Sequence, residues 1–427
     1  MQILIIINQY HPALNPNVYR WSAIAEHWVK QGHGIHVLCT VRKGISNKTL
    51  WNDVIIHRAG QNSLLDWTYN IMSVKQRRGE AGGDKMFRNG KLRQFLELIV
   101  DWSWRLVYWP DGSCFWYLPA RKKATQLIEN QKFDAIISVG LPFTAHLIGL
   151  HCKKRFPHIK WLMDIEDPFS FVKELFINNK FLYSKANHAI EKKALQLSDK
   201  VVVTVDSARS KYIKAFPFAI EKISVIPPVY SLPEISQSIH FEQHKTHIGY
   251  FGSFYYPIRK PDVLLEIFKQ ISLKYDTYVL HFFGEIAPVF KPIFGKYNNL
   301  DVRLHGLTSR ALINAAMRAM DFLVNVSNST DYHIPSKSID YYVSGKPIIN
   351  LYNNHQDPIL HFFDDYPYIK HLKVDSLQPF ESAAIEDIIR FMEANKGVLL
   401  DESKIEKAKE LYGIEAISQQ YIQLLQH

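Results

Sequence analysis

Two stretches in the second half of the chain place cations where a strand end leads into a helix. The first is Gly252-Ser253-Phe-Tyr-Tyr-Pro-Ile-Arg259-Lys260-Pro261. A helix N-terminus offers free N–H groups and a partial positive charge, so Arg259 and Lys260 beside one describe a site for a diphosphate. A glycine-ended strand with a basic loop is also common without any ligand. The second runs from Asn325 to Pro347 and contains Asp331, Ser336, Lys337 and Asp340. Lys337 in a first helical turn works against the helix dipole, and a bound anion would supply the reason for it. Asp340, one turn later, is placed to accept both hydroxyls of a ribose, or else to bond nearby backbone. In the first half, Asp164-Ile-Glu166-Asp167-Pro168 gathers carboxylates at a strand end. That chemistry suits sugar hydroxyls, a metal or plain solvation, and with no histidine or second acidic group at ligand spacing no metal is expected. His146, inside Phe-Thr-Ala-His-Leu-Ile-Gly-Leu, reads more readily as a core or helix-start histidine than as a catalytic one.

Other chemistries are excluded by what is missing. The first strand leads into Gln9-Tyr10-His11-Pro12 rather than into GxGxxG, and GxxxxGK[ST], GxSxG and HExxH do not occur. Cys39, Cys114 and Cys152 form no CxxC or Cys/His cluster, so neither zinc nor a disulfide framework is expected, and a reducing compartment is the simpler reading.

These groups need elements to hold them. Continuous apolar runs predict buried strands over 3–7, 34–40, 54–57, 134–139, 161–164, 201–205 and 223–226. Helical spacing predicts helices over 17–30, 144–154, 185–197 and 207–215. A second alternation follows, with strands over 248–251, 278–283, 302–304, 322–326 and 347–351. Helices are expected over 261–273, over 308–320 with Thr308 as N-cap, and over 335–343, and one or two amphipathic helices over 402–425. Strand and helix in alternation predict α/β architecture with parallel, doubly wound sheets. Between the two series, Ile226-Pro-Pro-Val-Tyr-Ser-Leu-Pro-Glu234 is the best linker. It divides the chain into domains 1–228 and 236–427 joined by 229–235, with the last helices expected to pack back on the first domain.

The chain has 427 residues and a formal net charge of +10, unevenly spread. Residues 1–228 carry 32 Lys+Arg against 18 Asp+Glu, the remainder 19 against 23, and all nine tryptophans lie in the first half. The basic, Trp-rich half is expected to face something anionic. The stretch 75–93, with four glycines and a charge of +5 from seven cations and two acids, predicts a mobile loop. Trp102, Trp104, Trp109 and Trp116 follow it, then Arg121, Lys122 and Lys123, giving either a buried aromatic helix or a patch resting on lipid headgroups. No apolar run is long enough to span a bilayer, and no nucleic-acid motif is present, so a peripheral cytoplasmic protein on an anionic membrane surface is expected.

Taken in order, Gly32-His33, Leu141 to His146 with Ile148-Gly149, Trp161 to Pro168, Ala194 to Asp199 ahead of Val201 to Thr204, Ile223 to Pro227, Tyr250-Phe-Gly252, Pro335-Ser-Lys337, Asp340-Tyr341 and Gly345-Lys-Pro347 resemble bacterial GT-B glycosyltransferases of the large family 4 type. The resemblance covers roughly 1–352. It implies two Rossmann-like domains facing across a cleft and a retaining sugar transfer that needs neither metal nor cofactor. The nucleotide-diphosphate sugar would sit on the C-terminal domain, and a saccharide or polyprenyl-linked acceptor of cell-surface polysaccharide synthesis on the N-terminal one. Lys260 matches the family lysine at the diphosphate and, with Lys337, would stabilise the leaving group. Asp340 matches the ribose-facing acid of the family's acidic pair, and Gly252, Ser253, Arg259, Gly284, Asp331 and Ser336 would complete the donor site. His11, Arg20, His146, Asp164 and Asp167 fall on the acceptor side. The chain departs from the family at Ser253, where an arginine is frequent, at Tyr332, where the first acid of the pair would stand, and at Gly140-Leu141, where many members carry a histidine. Those departures keep in view a non-catalytic scaffold of the same fold, and the acidic cluster at Asp164, Glu166 and Asp167 keeps a sugar-nucleotide epimerase.

Overall fold

The computed structural model describes residues 1–13, 15–60, 107–171, 177–230, 232–233, 238–254, 259–328, 330–374 and 382–426. The chain forms two compact units: Met1–Thr204 with Arg209–Ile226 and Ser418–His427, and Val205–Ala208 with Pro227–Ile417. The expected loop at 75–93, Trp102 and Trp104 lie outside the described residues. No helix among the described residues is long and apolar enough to cross a membrane.

In the first unit the strands are β1 (Gln2–Ile7), β2 (Gly34–Cys39), β3 (Lys48–Trp51), β4 (Val54–Arg58), β5 (Ala135–Gly140), β6 (Lys160–Ile165), β7 (Lys200–Val203) and β8 (Ile223–Val225). They form one sheet in the order β3-β4-β2-β1-β5-β6-β7-β8, parallel except for β3 against β4. Ile3 to Ile6 are fully buried, as a strand covered by helices on both faces requires. The helices are α1 (Pro16–Lys30), α2 (Tyr117–Asn130), α3 (Thr144–Arg155), α4 (Lys180–Leu197) and α5 (Asp206–Ala215). Asn15 starts α1 by accepting the Val18 N–H at 3.0 Å, with Pro16 in the first turn where its missing N–H costs nothing.

Three features depart from the sequence-based expectation. Strand β3 was not anticipated, because it is an exposed edge strand without burial on one face, made possible by left-handed Asn52 and Asp53 in the turn to β4. Helix α4 starts five residues early, at Lys180 instead of 185, because Asn179 caps it while its first apolar residues, Phe181 and Leu182, point to solvent and break the burial pattern. Helix α2 was not anticipated, and of the two readings given to the aromatic stretch ahead of it the buried one fits Trp116, which is fully buried, while Trp109 is half-buried and donates its Nε1–H to Asn187 Oδ1 at 3.0 Å.

The second unit carries β9 (Thr246–Phe251), β10 (Tyr278–Phe283), β11 (Val302–Gly306), β12 (Phe322–Val326), β13 (Ile348–Tyr352) and β14 (Ile369–Lys373), all parallel, in the order β11-β10-β9-β12-β13-β14. Numbered within the unit this is 3-2-1-4-5-6, the dinucleotide-fold order. The helices are α6 (Asp262–Ser272), α7 (Lys291–Gly295), α8 (Arg310–Ala319), α9 (Lys337–Ser344), α10 (Pro358–Phe362), α11 (Ser382–Asn395), α12 (Glu402–Tyr412) and α13 (Ile414–Gln426). One face of the sheet buries Ile248, Tyr250, Leu280 and Phe282 against α6 and α11; the other buries Phe251, Phe283 and Leu323 against α8 and α9. Helix α8 is capped by Ser309, whose Oγ accepts the Leu312 N–H at 3.3 Å, rather than by Thr308 as expected. Strand β14 and helices α7, α10 and α11 were not anticipated from sequence.

From Ser418 onward, α13 groups with the first unit. Tyr421 is fully buried with its ring edge-on to Trp21 at 5.1 Å, and the Trp28 Nε1–H reaches the Ser418 carbonyl at 3.3 Å.

Candidate functional site

In a doubly wound sheet, neighbouring strands whose crossovers leave in opposite directions open a crevice beyond their carboxyl ends. In the second unit that point lies between β9 and β12. The two strands pair only as far as Tyr250 opposite Val324. One rung further, Tyr341 of α9 takes over: its hydroxyl accepts the Phe251 N–H at 2.9 Å and donates to the Val324 carbonyl at 3.1 Å. The phenol stands in for the missing rung, so both backbone groups stay satisfied while the strands part.

Both cation-bearing stretches singled out in the sequence emerge at this point. Gly252 leaves β9 with its N–H on the Phe283 carbonyl at 2.9 Å, and Gly284 leaves β10 beside it. At Gly284, φ is +148° and a Cβ would stand 2.1 Å from the Gly252 carbonyl oxygen, so only glycine lets the two strand ends approach this closely. Ser253 Oγ accepts the Glu285 N–H at 3.3 Å. Arg259, only 8% exposed, is a strut rather than an open cation: its guanidinium donates to Tyr250 Oη at 3.3 Å and to Asn328 Oδ1 at 2.6 Å, tying the loop after β9 to the loop after β12. Asn328 in turn donates to His333 Nε2, leaving Nδ1–H for Thr330 Oγ1 at 3.1 Å. Lys260 is exposed beside this frame, and Asp331 is half-buried.

Lys337 opens α9 and does not need a bound anion to explain it, because its ammonium lies 3.0 Å from Asp340 Oδ2 in the same turn. Asp340 is 4% exposed, and Ser336 is exposed and gives the helix no side-chain cap. Gly345, at φ +71°, ends the helix. Asp357, which sequence reasoning passed over, is buried at the start of α10, with Oδ1 on the Ile359 N–H at 3.0 Å. Burial raises its carboxyl to about 6 against the pull of Arg259. Asn328, His333, Tyr341 and Asp357 were all missed as site residues. Tyr341 stands next to Asp340 in the quoted motif, but nothing in an apolar helical pattern marks a phenol as a strand spacer.

On the first unit the expected acceptor-side residues separate into two groups. His11 lies in the loop leaving β1, its ring stacked on Trp51 at 3.5 Å and its carbonyl accepting from Arg58 at 2.9 Å. Burial and the Arg58 charge hold its pKa below the ordinary histidine value. Asp167 is half-buried. The other three, Arg20, His146 and Asp164, are buried in this structure. Asp164 is fully buried and accepts from Trp21 Nε1 at 2.9 Å and Tyr421 Oη at 2.7 Å, and Arg20 donates to the same Tyr421 Oη at 2.5 Å and to the Ile226 carbonyl. His146 Nδ1 meets Ser138 Oγ at 2.8 Å, and burial drops its pKa to about 3, so it is a neutral core histidine. Glu166 follows Asp164, and burial beside that carboxylate pushes its pKa well up.

No protein-family profile matches the chain, and no curated protein matches it in sequence. Solved structures do match along the whole length. TarM of S. aureus superposes with a TM-score of 0.63 at 11% identity, covering 100% of this chain and 99% of its own. HepE of Anabaena, solved with UDP and glucose, gives 0.60 at 11% identity with coverage of 100% and 99%. Starch synthase IV of Arabidopsis thaliana, solved with ADP and acarbose, gives 0.59 at 9% identity with coverage of 100% and 98%. The fold is GT-B. Identities this low speak for the GT-B fold alone, and the sheet orders of the two units agree with it.

Proposed function

We propose that the chain is a glycosyltransferase that takes a sugar from a nucleotide diphosphate, with the donor held at the β9/β12 crevice of the second unit. The observation that carries this reading is that the stretches bearing Lys260 and the Lys337–Asp340 pair follow β9 and β12, the two strands between which this sheet order opens a ligand crevice, with glycines at the ends of β9 and β10. HepE, TarM and starch synthase IV, with the same fold, were solved with UDP or ADP.

Breaking the glycosidic bond builds charge on the departing diphosphate. Lys260, Lys337 and the N-terminal end of α9 would stabilise that charge, the work a divalent metal does in other transferases. Asp340 accepts ribose hydroxyls while Lys337 turns toward phosphate. We read the transfer as retaining and metal-independent: the acceptor hydroxyl attacks from the face the diphosphate leaves, and its proton passes to the departing phosphate oxygen. The acceptor is a saccharide or lipid-linked saccharide of a cell-surface glycan, bound by the first unit through groups such as His11 and Asp167.

A thermal-shift series with UDP-, GDP-, ADP- and dTDP-sugars tests the donor class. Saturable stabilisation by one nucleotide family, lost in Lys260→Ala/Lys337→Ala, is expected. An unchanged melting temperature across the whole panel would remove the reading.

A further inference from the structure

Helix α4 of the first unit exposes a face that neither the donor crevice nor the acceptor-side residues use. Phe181, Lys185, His188 and Lys192 recur at i, i+4, i+7 and i+11, and Leu182, Ala189 and Lys193 form the adjoining row. All of them are exposed, Phe181 to 95% and Leu182 to 56%. Glu191, the one acid of the helix, points inward and is fully buried, accepting the Ser170 N–H at 3.0 Å and the Tyr212 hydroxyl at 2.8 Å. The outward face therefore carries cations and apolar side chains and no carboxylate. The Tyr183 hydroxyl donates to the Val107 carbonyl at 2.9 Å, which brings Val107, 58% exposed, beside the first turn. On α3, which packs against α4, Lys154 is close enough to Lys193 for that neighbour to lower its pKa, so two like charges sit side by side at this surface.

We propose that this face of α4 docks on an anionic lipid bilayer, with Phe181 and Leu182 entering at headgroup level and Lys154, Lys185, Lys192 and Lys193 lying against lipid phosphates. Phe181, Leu182 and Val107, exposed together at one end of the helix, mark an interaction surface, and the cationic row along the same helix gives the charge of its partner. A nucleic acid would meet the lysines but has no apolar phase to receive Phe181, Leu182 and Val107; a bilayer interface receives both. The inference stands on the first unit alone and does not depend on the donor chemistry of the second.

The test is co-sedimentation of the full chain with vesicles of phosphatidylglycerol and phosphatidylcholine, against phosphatidylcholine alone. Binding is expected to the anionic vesicles only, weakening at least tenfold from low to high salt. Lys185→Glu/Lys192→Glu/Lys193→Glu should abolish it. Phe181→Ser/Leu182→Ser should weaken it about tenfold or more, the scale for withdrawing two apolar side chains from an apolar phase. Both variants should keep the parental melting temperature. Phe181→Trp gives a readout that needs no loss of binding, since bromine-labelled acyl chains should quench the added indole. Failure of the parent to bind anionic vesicles, parental binding by either multiple variant, or no added quenching in Phe181→Trp would overturn the proposal. So would tight binding of short RNA that competes with vesicles and ignores Phe181→Ser/Leu182→Ser.

Discussion

Lys337 and Asp340 form an ion pair in the resting protein, and the proposed donor reading gives each of them a separate part in the reaction. At 3.0 Å the pair offsets the unfavourable place of a cation in a first helical turn. Lys260→Ala and Lys337→Ala are each expected to lower kcat/KM for the nucleotide sugar by roughly two to three orders of magnitude, the scale for removing one preorganised partner of a developing anion. Asp340→Asn should act mainly on the donor KM, because ribose contacts change little between ground and transition states. Steady-state kinetics with the responding donor separate the two patterns. Tyr341 makes a different kind of contribution. Tyr341→Phe keeps the ring in the core but strands the Phe251 N–H and the Val324 carbonyl at the crevice floor. A loss of about 1–3 kcal/mol in urea unfolding is expected, with a raised donor KM. Unchanged stability would mean that water or a strand shift can replace the hydroxyl.

At the scale of elements, polar side chains join strands and helices that the apolar pattern alone would leave unregistered. Three histidines cross β9, β10 and β11: His247 donates to the Glu242 carbonyl at 3.0 Å and accepts from His281 at 2.9 Å, and His281 accepts from His305 at 2.9 Å. His281, which donates at Nε2 and accepts at Nδ1, holds this pattern as a neutral ring, and burial followed by the neighbouring His247 drops its pKa to about 3. His57 in the first sheet falls to about 4, again chiefly through burial. Each folded-state value lies below the ordinary 6.5, so the folded protein binds fewer protons than the unfolded chain. The stability these rings contribute is complete above pH 6.5 and is lost as pH falls toward 4 and then 3. Urea midpoints measured from pH 7.5 to 4 should therefore decline steadily below 6.5, and His281→Gln should flatten part of that decline. The last helix is joined to the first unit in a similar way. Tyr421→Phe would leave Arg20 and Asp164, 4.0 Å apart in the interior, without their shared hydroxyl. About 2–3 kcal/mol should be lost, read by denaturant unfolding of the full chain.

At the scale of the molecule, the donor reading places all charge stabilisation on side chains and helix N–H groups, so sugar transfer should survive excess EDTA. Loss of activity in chelator, restored by Mg²⁺ or Mn²⁺, would contradict it. The sequence by itself determined the fold class: Ile3 to Ile7, Tyr278 to Phe283 and Phe322 to Val326 cannot be covered on both faces except in parallel sheets flanked by helices, and the order of their connections follows the chain. It also determined which strand ends bear cations. Only the tertiary structure decided what those cations meet. Arg259 and Lys260 are adjacent in sequence, yet the first is buried on Asn328 and the second is exposed, and no pattern of residue types encodes that difference. Arg20, Asp164 and Tyr421 lie more than a hundred residues apart from one another, and only the fold brings them into one buried polar cluster. Edge strand β3 and the exposed first turn of α4 were illegible for the opposite reason: they lack the one-sided burial that writes periodicity into a sequence, and exposure is set by what the rest of the chain leaves uncovered.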